Sequence, residues 1–284
     1  MKVSIGCFAK LENLYLREWC EYHLALGFCN IHIYDNNDKN SEHCSSAVEG
    51  LDDVYVYDDF RGVSSVRCNQ QIQAYDKLYN KLSKESPDID YIIFLDIDEF
   101  FTLDKKYSSV SDYFDKVFSD KPPVIRFCQV PYGASGHVSY SSEKVVERFT
   151  VPALESAPEY NYAKHGYKLR SGLKVINPHF CERAQFDTRS DGRKVSFNKT
   201  AGVPPEENCI KEAYLRHYIT KSAEEYCVLK CCKTKTKEYR YNMAFFFQYN
   251  KKTPDLEQAV RNWIEHPEKS GIITDVNKLK NKAC

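Results

Sequence analysis

The 284-residue chain lacks an excess of charge of either sign: 40 Lys and Arg residues face 40 Asp and Glu, a formal net charge of zero. Proteins that bind nucleic acid by neutralising phosphates draw on a basic excess, so no nucleic-acid partner is expected. Long hydrophobic runs are also missing. No stretch approaches the roughly 20 apolar residues that a spanning helix needs. The opening Val3 to Phe8 runs into Lys10, Glu12 and Arg17 before a signal-peptide core can develop. A soluble, cytoplasmic protein is the expectation. The 12 cysteines show no Cys-x-x-Cys spacing, and disulfide scaffolds belong to short secreted chains, so free, mostly buried thiols are expected. Without a secretory signal, the sequon Asn198-Lys199-Thr200 carries no weight. Internal repeats and low-complexity segments are absent. What is present is 42% hydrophobic and 14% aromatic residues, enough to bury a core in one large domain or one domain with an appendage.

The order of segments indicates an α/β fold. Val3 to Phe8 reads as a strand, and Leu14 to Leu26 as a helix with Leu16, Trp19, His23 and Leu26 at helical spacing, ended by Gly27. Asn30 to Asp35 is a second strand, stopped by Asn36-Asn37-Asp38. Val54 to Tyr57 is a third, before a helix with Ile72, Tyr75, Leu78, Tyr79 and Leu82 on one face. Tyr91 to Leu95 is a continuous apolar run of strand length, suited to a strand buried on both faces of a parallel sheet. This alternation predicts an open, mostly parallel twisted sheet with helices on both faces, whose ligands bind outside the carboxyl ends of the strands. No Gly-x-Gly-x-x-Gly follows the first strand and no Walker sequence occurs, which weakens dinucleotide and P-loop readings. Beyond Pro122-Pro123 and a strand from Val124, repeated prolines suggest loops and short strands packed onto the first sheet.

The most informative stretch is Leu95-Asp96-Ile97-Asp98-Glu99-Phe100. Strand alternation would put Asp96 and Asp98 on one side and Ile97 on the other, at the end where such a sheet binds its ligand. Two close carboxylates are costly without a cation, and hard oxygen ligands select Mg²⁺ or Mn²⁺ with positions left for substrate phosphates. A solvated strand end accounts for the pair equally well. Farther on, Ser222 to Glu225 forms a capping-box pattern, so a helix should start there, with His217 and Lys221 just before it. Those two residues suit a metal shell and a diphosphate; alone they would read as a core histidine and a solvated lysine.

Several short stretches, in order, carry a family resemblance. Cys7 to Asn13 with Leu16-Arg17-Glu18-Trp19, His23, Gly27 and Ile33-Tyr34-Asp35-Asn36 form the first block; Gln71 to Tyr75 and Leu95 to Phe100 follow. Then come Tyr132-Gly133-Ala134-Ser135-Gly136-His137, similar to a Gly-Ser-Ser-Gly-His loop with Ala134 in place of Ser, and Glu147-Arg148-Phe149. Lys174 to His179 and His217-Tyr218 with Lys221-Ser222 complete the set. Across about residues 3 to 230 the chain resembles sugar-nucleotide glycosyltransferases of GT-A fold, close to family 92 and the related family 2-like group.

The resemblance implies a GT-A catalytic domain over 1–230 and a small helical C-terminal appendage over 231–284. It implies an inverting transfer of a sugar from a nucleotide diphosphate, expected to be a UDP-sugar, to a hydroxyl of a glycan or lipid-linked acceptor in cell-surface polysaccharide synthesis. Ala9, Glu12 and Asp35 would line the nucleoside pocket. Asp96 and Asp98 would hold Mn²⁺ or Mg²⁺, with His217 or else His179 as the late ligand, and Lys221 would neutralise phosphate charge. The acceptor hydroxyl needs a base, for which Glu147, His137 and Glu99 are candidates. Glu147 beside Arg148 also reads as an ion pair, and Glu99 as a brace for the metal carboxylates.

Two other classes compete: an Mg²⁺-dependent nucleotidyl- or phosphotransferase using the same two aspartates, and a non-catalytic nucleotide- or carbohydrate-binding protein. Past residue 230, Lys230, Lys233, Lys235, Lys237 and Arg240 precede the aromatics up to Tyr249. A basic stretch beside aromatics suits peripheral contact of 230–249 with the inner face of a membrane, though a solvated turn and a core segment explain it as well. Thr253-Pro254-Asp255 should start a last helix with Leu256, Val260, Trp263 and Ile264 facing inward.

Overall fold

The computed structural model describes residues 1–63, 69–182, 184–196, 202–230 and 243–265. The sequon and Lys233, Lys235, Lys237 and Arg240 of the basic stretch lie outside the described residues. In chain order the elements are β1 (Val3–Ala9), α1 (Asn13–Ala25), β2 (Asn30–Asp35), α2 (Cys44–Ala47), β3 (Val54–Tyr57), α3 (Asn69–Glu85), β4 (Tyr91–Phe94), β5 (Glu99–Leu103), α4 (Val110–Val117), β6 (Val124–Pro131) and α5 (Val145–Arg148). They continue with β7 (Ala163–Lys168), β8 (Lys174–Asn177), β9 (Phe180–Glu182), β10 (Phe186–Arg189), β11 (Lys194–Ser196), β12 (Ala213–His217), α6 (Ala223–Glu225), α7 (Met243–Tyr249) and α8 (Asp255–Glu265). Two compact units interleave along the chain: Met1–Gln129 with Asn161–Leu215, and Val130–Tyr160 with Arg216–Cys284.

The first unit is α/β, built on an open, curled mixed sheet in the order β11-β10-β6-β7-β4-β1-β2-β3; β12, whose first three residues belong here, pairs with β5 and β6. The parallel arrangement expected from the sequence holds for β4-β1-β2-β3. It does not hold across the sheet: β7 runs antiparallel to both β4 and β6, and β11 antiparallel to β10. Of the later short strands, β10, β11 and β12 extend the sheet, whereas β8 and β9 form a separate antiparallel pair whose Val175 and Cys181 pack against the α3 side of the core, as expected. A tight turn closed by the Gly192 N–H on the Arg189 carbonyl joins β10 to β11, the kind of connection that antiparallel neighbours allow.

Alternation along the strands sends two apolar sets to opposite faces. On one, Tyr34, Ile92, Phe94, Val124 and Tyr167 pack with Ala74, Tyr75, Leu78, Tyr79 and Leu82 of α3; Tyr75, Leu78, Tyr79 and Leu82 belong to the helical stripe expected from the sequence, whose Ile72 is half-buried. Gly6 belongs to this face, and a Cβ there would stand 2.7 Å from the Phe94 ring and 2.8 Å from Leu78. On the other face, Phe114 of α4 lies 5.2 Å from the Tyr91 ring. In α1, Trp19 Nε1 donates to the Glu99 carbonyl at 2.8 Å, and His23 Nε2 accepts the Phe101 N–H at 3.1 Å, so this helix fastens β5. All eight cysteines among the described residues are free and six of them are buried.

In the second unit, α7 and α8 gather Phe246, Leu256 and Val260 around Ala134, Ala223 and Tyr226. The capping box is present at the start of α6: Ser222 Oγ accepts the Glu225 N–H and Glu225 accepts the Ser222 N–H. Arg148 clamps Glu225 through two bonds of 2.8 and 3.0 Å, both side chains 1% exposed. Gly133 has no space for a side chain, because a Cβ would lie 2.6 Å from both Asn250 Oδ1 and the Tyr249 carbonyl oxygen.

Candidate functional site

Strand β4 ends at Phe94, so the Asp-x-Asp pair does not continue it as the alternation argument requires. Instead, Asp96 to Glu99 make a turn closed by the Glu99 N–H on the Asp96 carbonyl at 3.0 Å, while Glu99 Oε2 accepts the Asp96 N–H at 2.9 Å. The reason is local: Glu99 reaches back across the turn and takes the donor that another ladder bond would have used. The outcome is nonetheless of the expected kind. Ile97 is buried, whereas Asp96 and Asp98 are half-buried at the carboxyl end of the parallel strands.

Lys164, on β7, penetrates this turn. Its ammonium lies 2.6 Å from Asp96 Oδ2 and 3.3 Å from Glu99 Oε2 and is 2% exposed. Burial alone would lower the Lys164 pKa, but Asp96 and Glu99 more than offset it and the net shift is upward. Burial pushes the Asp96 carboxyl up, as does Asp98, yet Lys164 outweighs both and holds Asp96 below its ordinary value. Gln71 Nε2 sits 3.3 Å from Asp96 Oδ1, and Gln129 donates to Glu99 Oε1. Glu99, fully buried and holding three donors, braces the turn. Lys164 was not legible in the sequence because a lone lysine in Ala163-Lys164-His165-Gly166 carries no motif. Its role depends on β7 pairing with β4 and β6.

His179 lies in the same unit and interacts electrostatically with Asp96 and Lys164. Its Nδ1 is 2.6 Å from the Ala163 carbonyl oxygen, so that nitrogen carries the proton and Nε2 keeps its lone pair. Burial, then Lys164, lowers its pKa to about 4, so the ring is neutral at neutral pH. A neutral imidazole whose second nitrogen donates to a backbone carbonyl is the form in which histidine ligates a metal, but Asp96, Asp98 and His179 do not bring three ligand atoms within 4.8 Å of one another.

Ala9 and Asp35 are register partners at the ends of β1 and β2, and Glu12 precedes α1. Glu12 follows β1 and Asp96 follows β4, and because these two strands are parallel both residues stand at the same end of the sheet. The Asp35 carboxylate is committed to its own loop: Oδ1 accepts the Asn37 N–H at 2.7 Å, and Oδ2 accepts the Cys44 N–H and Arg61, both at 2.8 Å. Asp35, His43 and Asp58 bring three ligand atoms within 4.8 Å of one another. Arg61 already supplies the cation there, which disfavours a second one.

The remaining residues singled out in the sequence belong to the second unit. Glu147 is exposed on α5, and its neighbour Arg148 pairs with Glu225 instead. His137 meets the Phe149 ring edge-on at 5.6 Å. His217 ends β12, with its carbonyl accepting the Tyr132 N–H at 2.8 Å. Lys221 is 8% exposed, holds a left-handed φ of 55° and contributes to lowering the Glu225 pKa. Among the described residues, no helix is long and apolar enough to cross a membrane. No protein-family model matches this chain, and no curated protein matches it.

Proposed function

We propose that the protein is a metal-dependent glycosyltransferase of GT-A type, similar to family 92 and the family 2-like group. It would transfer a sugar from a nucleotide diphosphate, a UDP-sugar first among them, to an acceptor hydroxyl with inversion. The observation that carries the reading is Asp96 and Asp98, half-buried in a turn at the carboxyl end of parallel strands, with His179 as a neutral imidazole in the same unit. Open α/β sheets bind ligands at that end. Asp96, Asp98 and His179 would hold Mn²⁺ or Mg²⁺, which supplies Lewis-acid stabilisation of the departing diphosphate. Glu99 and Gln71 keep Asp96 in place, and Glu12 with Ala9 borders the same sheet end for the nucleoside. His217, Lys221, His137 and Glu147 belong to the other unit and keep only the roles that the family resemblance implies for them. A glycan or lipid-linked acceptor, with peripheral membrane contact through 230–249, completes the proposal.

The test is Mn²⁺-dependent hydrolysis of a panel of UDP-, GDP- and CMP-sugars. One or more should be hydrolysed slowly, and Asp98→Asn should lower the rate at least roughly tenfold with the fold intact, because a direct ligand contributes no less than its supporting shell. Absence of both binding and hydrolysis across the panel refutes the reading. Pyrophosphate release from a nucleoside triphosphate would instead favour a nucleotidyltransferase.

A further inference from the structure

Lys164 stands where a cation is wanted. Its ammonium bridges Asp96 and Glu99 at 2.6 and 3.3 Å, and the side chain is 2% exposed, whereas that of Asp96 is 40% exposed. The carboxylate thus has a buried side held by lysine and an open side available to solvent. Strand β7 fixes the lysine from behind, since Lys164 pairs with Phe127 of β6 while Gly166 pairs with Ile93 of β4. No three ligand atoms drawn from Asp96, Asp98, Glu99 and His179 lie within 4.8 Å of one another among the described residues. The acidic turn is therefore neutralised by a side chain and not gathered around a vacant centre. A divalent ion on Asp96 at the usual distance of about 2.1 Å would stand close to the ammonium, and like charges at that range repel strongly.

We infer that Lys164 is the resident counter-cation of the Asp-x-Asp turn, and that a divalent cation engages Asp96 in competition with its ammonium. Lys164 thereby acts as a positioning residue that sets metal affinity. This rests on the reading of Asp96 and Asp98 as metal ligands. The consequence is a site with weak intrinsic affinity for metal alone, which a nucleotide diphosphate strengthens by bringing its own oxygens to the ion.

The probe is Mn²⁺ alone, titrated into the full chain by calorimetry and by electron paramagnetic resonance. Lys164→Met should bind Mn²⁺ at least about tenfold more tightly than the wild type, a change of roughly 1.4 kcal/mol. Because this variant leaves two carboxylates without their cation, Lys164→Met with Glu99→Gln is measured beside it. That pair of substitutions keeps the local charge of the wild type while it removes the competitor and replaces the bracing carboxylate by an amide of the same shape, so it too should bind more tightly. Unchanged or weaker Mn²⁺ binding in the folded charge-matched variant overturns the inference. Tighter Mn²⁺ binding with no nucleotide sugar bound by any form would uphold competition at Asp96 while sinking the glycosyltransferase reading.

Discussion

His23 offers a quantitative test of the packing. Its ring is fully buried, within 4.6 Å of Trp19 and 5.7 Å of Phe28 and Phe100 by ring centroids. Nδ1 lies 2.8 Å from the Trp19 carbonyl oxygen and Nε2 accepts the Phe101 N–H, so both nitrogens are committed to the neutral tautomer. Burial lowers its pKa from 6.5 to about 3, against a small opposing contribution from Trp19. Between those values the unfolded chain binds a proton that the folded chain refuses. Stability is therefore present in full above pH 6.5 and is lost as pH falls towards 3. At 1.36 kcal/mol per unit, lowering the pH from 7 to 5 removes about 2 kcal/mol through His23 alone. Gln in its place keeps an N–H donor and a carbonyl acceptor but cannot ionise. Urea unfolding of the wild type and His23→Gln at several pH values in this range should show the variant losing about 2 kcal/mol less, a difference of about one proton taken up on unfolding. Identical pH dependence in the two proteins would refute the assignment of His23 as a buried neutral base.

Gly6→Ala should destabilise the first unit by about 1–3 kcal/mol in urea or thermal unfolding. The new Cβ meets Phe94, whose ring is stacked 4.2 Å from Tyr75 and has no room to retreat. In the second unit, Arg148→Met should cost about 3–5 kcal/mol because it leaves Glu225 buried without its cation. The double variant Arg148→Met with Glu225→Gln should recover part of that loss; a larger loss would show that the pair acts through something other than charge burial.

Much of the fold was legible from residue order alone. The stripe Ile72, Tyr75, Leu78, Tyr79 and Leu82 specifies its helix, and the Ser222 to Glu225 box specifies the start of another, because both are short-range consequences of helical spacing and of N–H groups lacking partners. The run Tyr91 to Phe94 likewise announces a strand covered on both faces. The antiparallel insertion of β7 was not legible, since pairing between Tyr91 and Lys168 depends on contacts far apart in the chain.

The site divides along the same line. Sequence by itself determined that two carboxylates stand beside a strand end, because Asp96 and Asp98 follow an apolar run that has to be buried. It also supplied the resemblance on which the proposed activity rests. Only the tertiary structure decided that Glu99 folds back to close the turn and that the Asp35 carboxylate is held by Arg61. Only there does Lys164, 68 positions beyond Asp96, supply its counter-charge. The physical reason is that charges buried together must be balanced within a few ångströms, and which residues come that close is fixed by strand pairing rather than by separation along the chain.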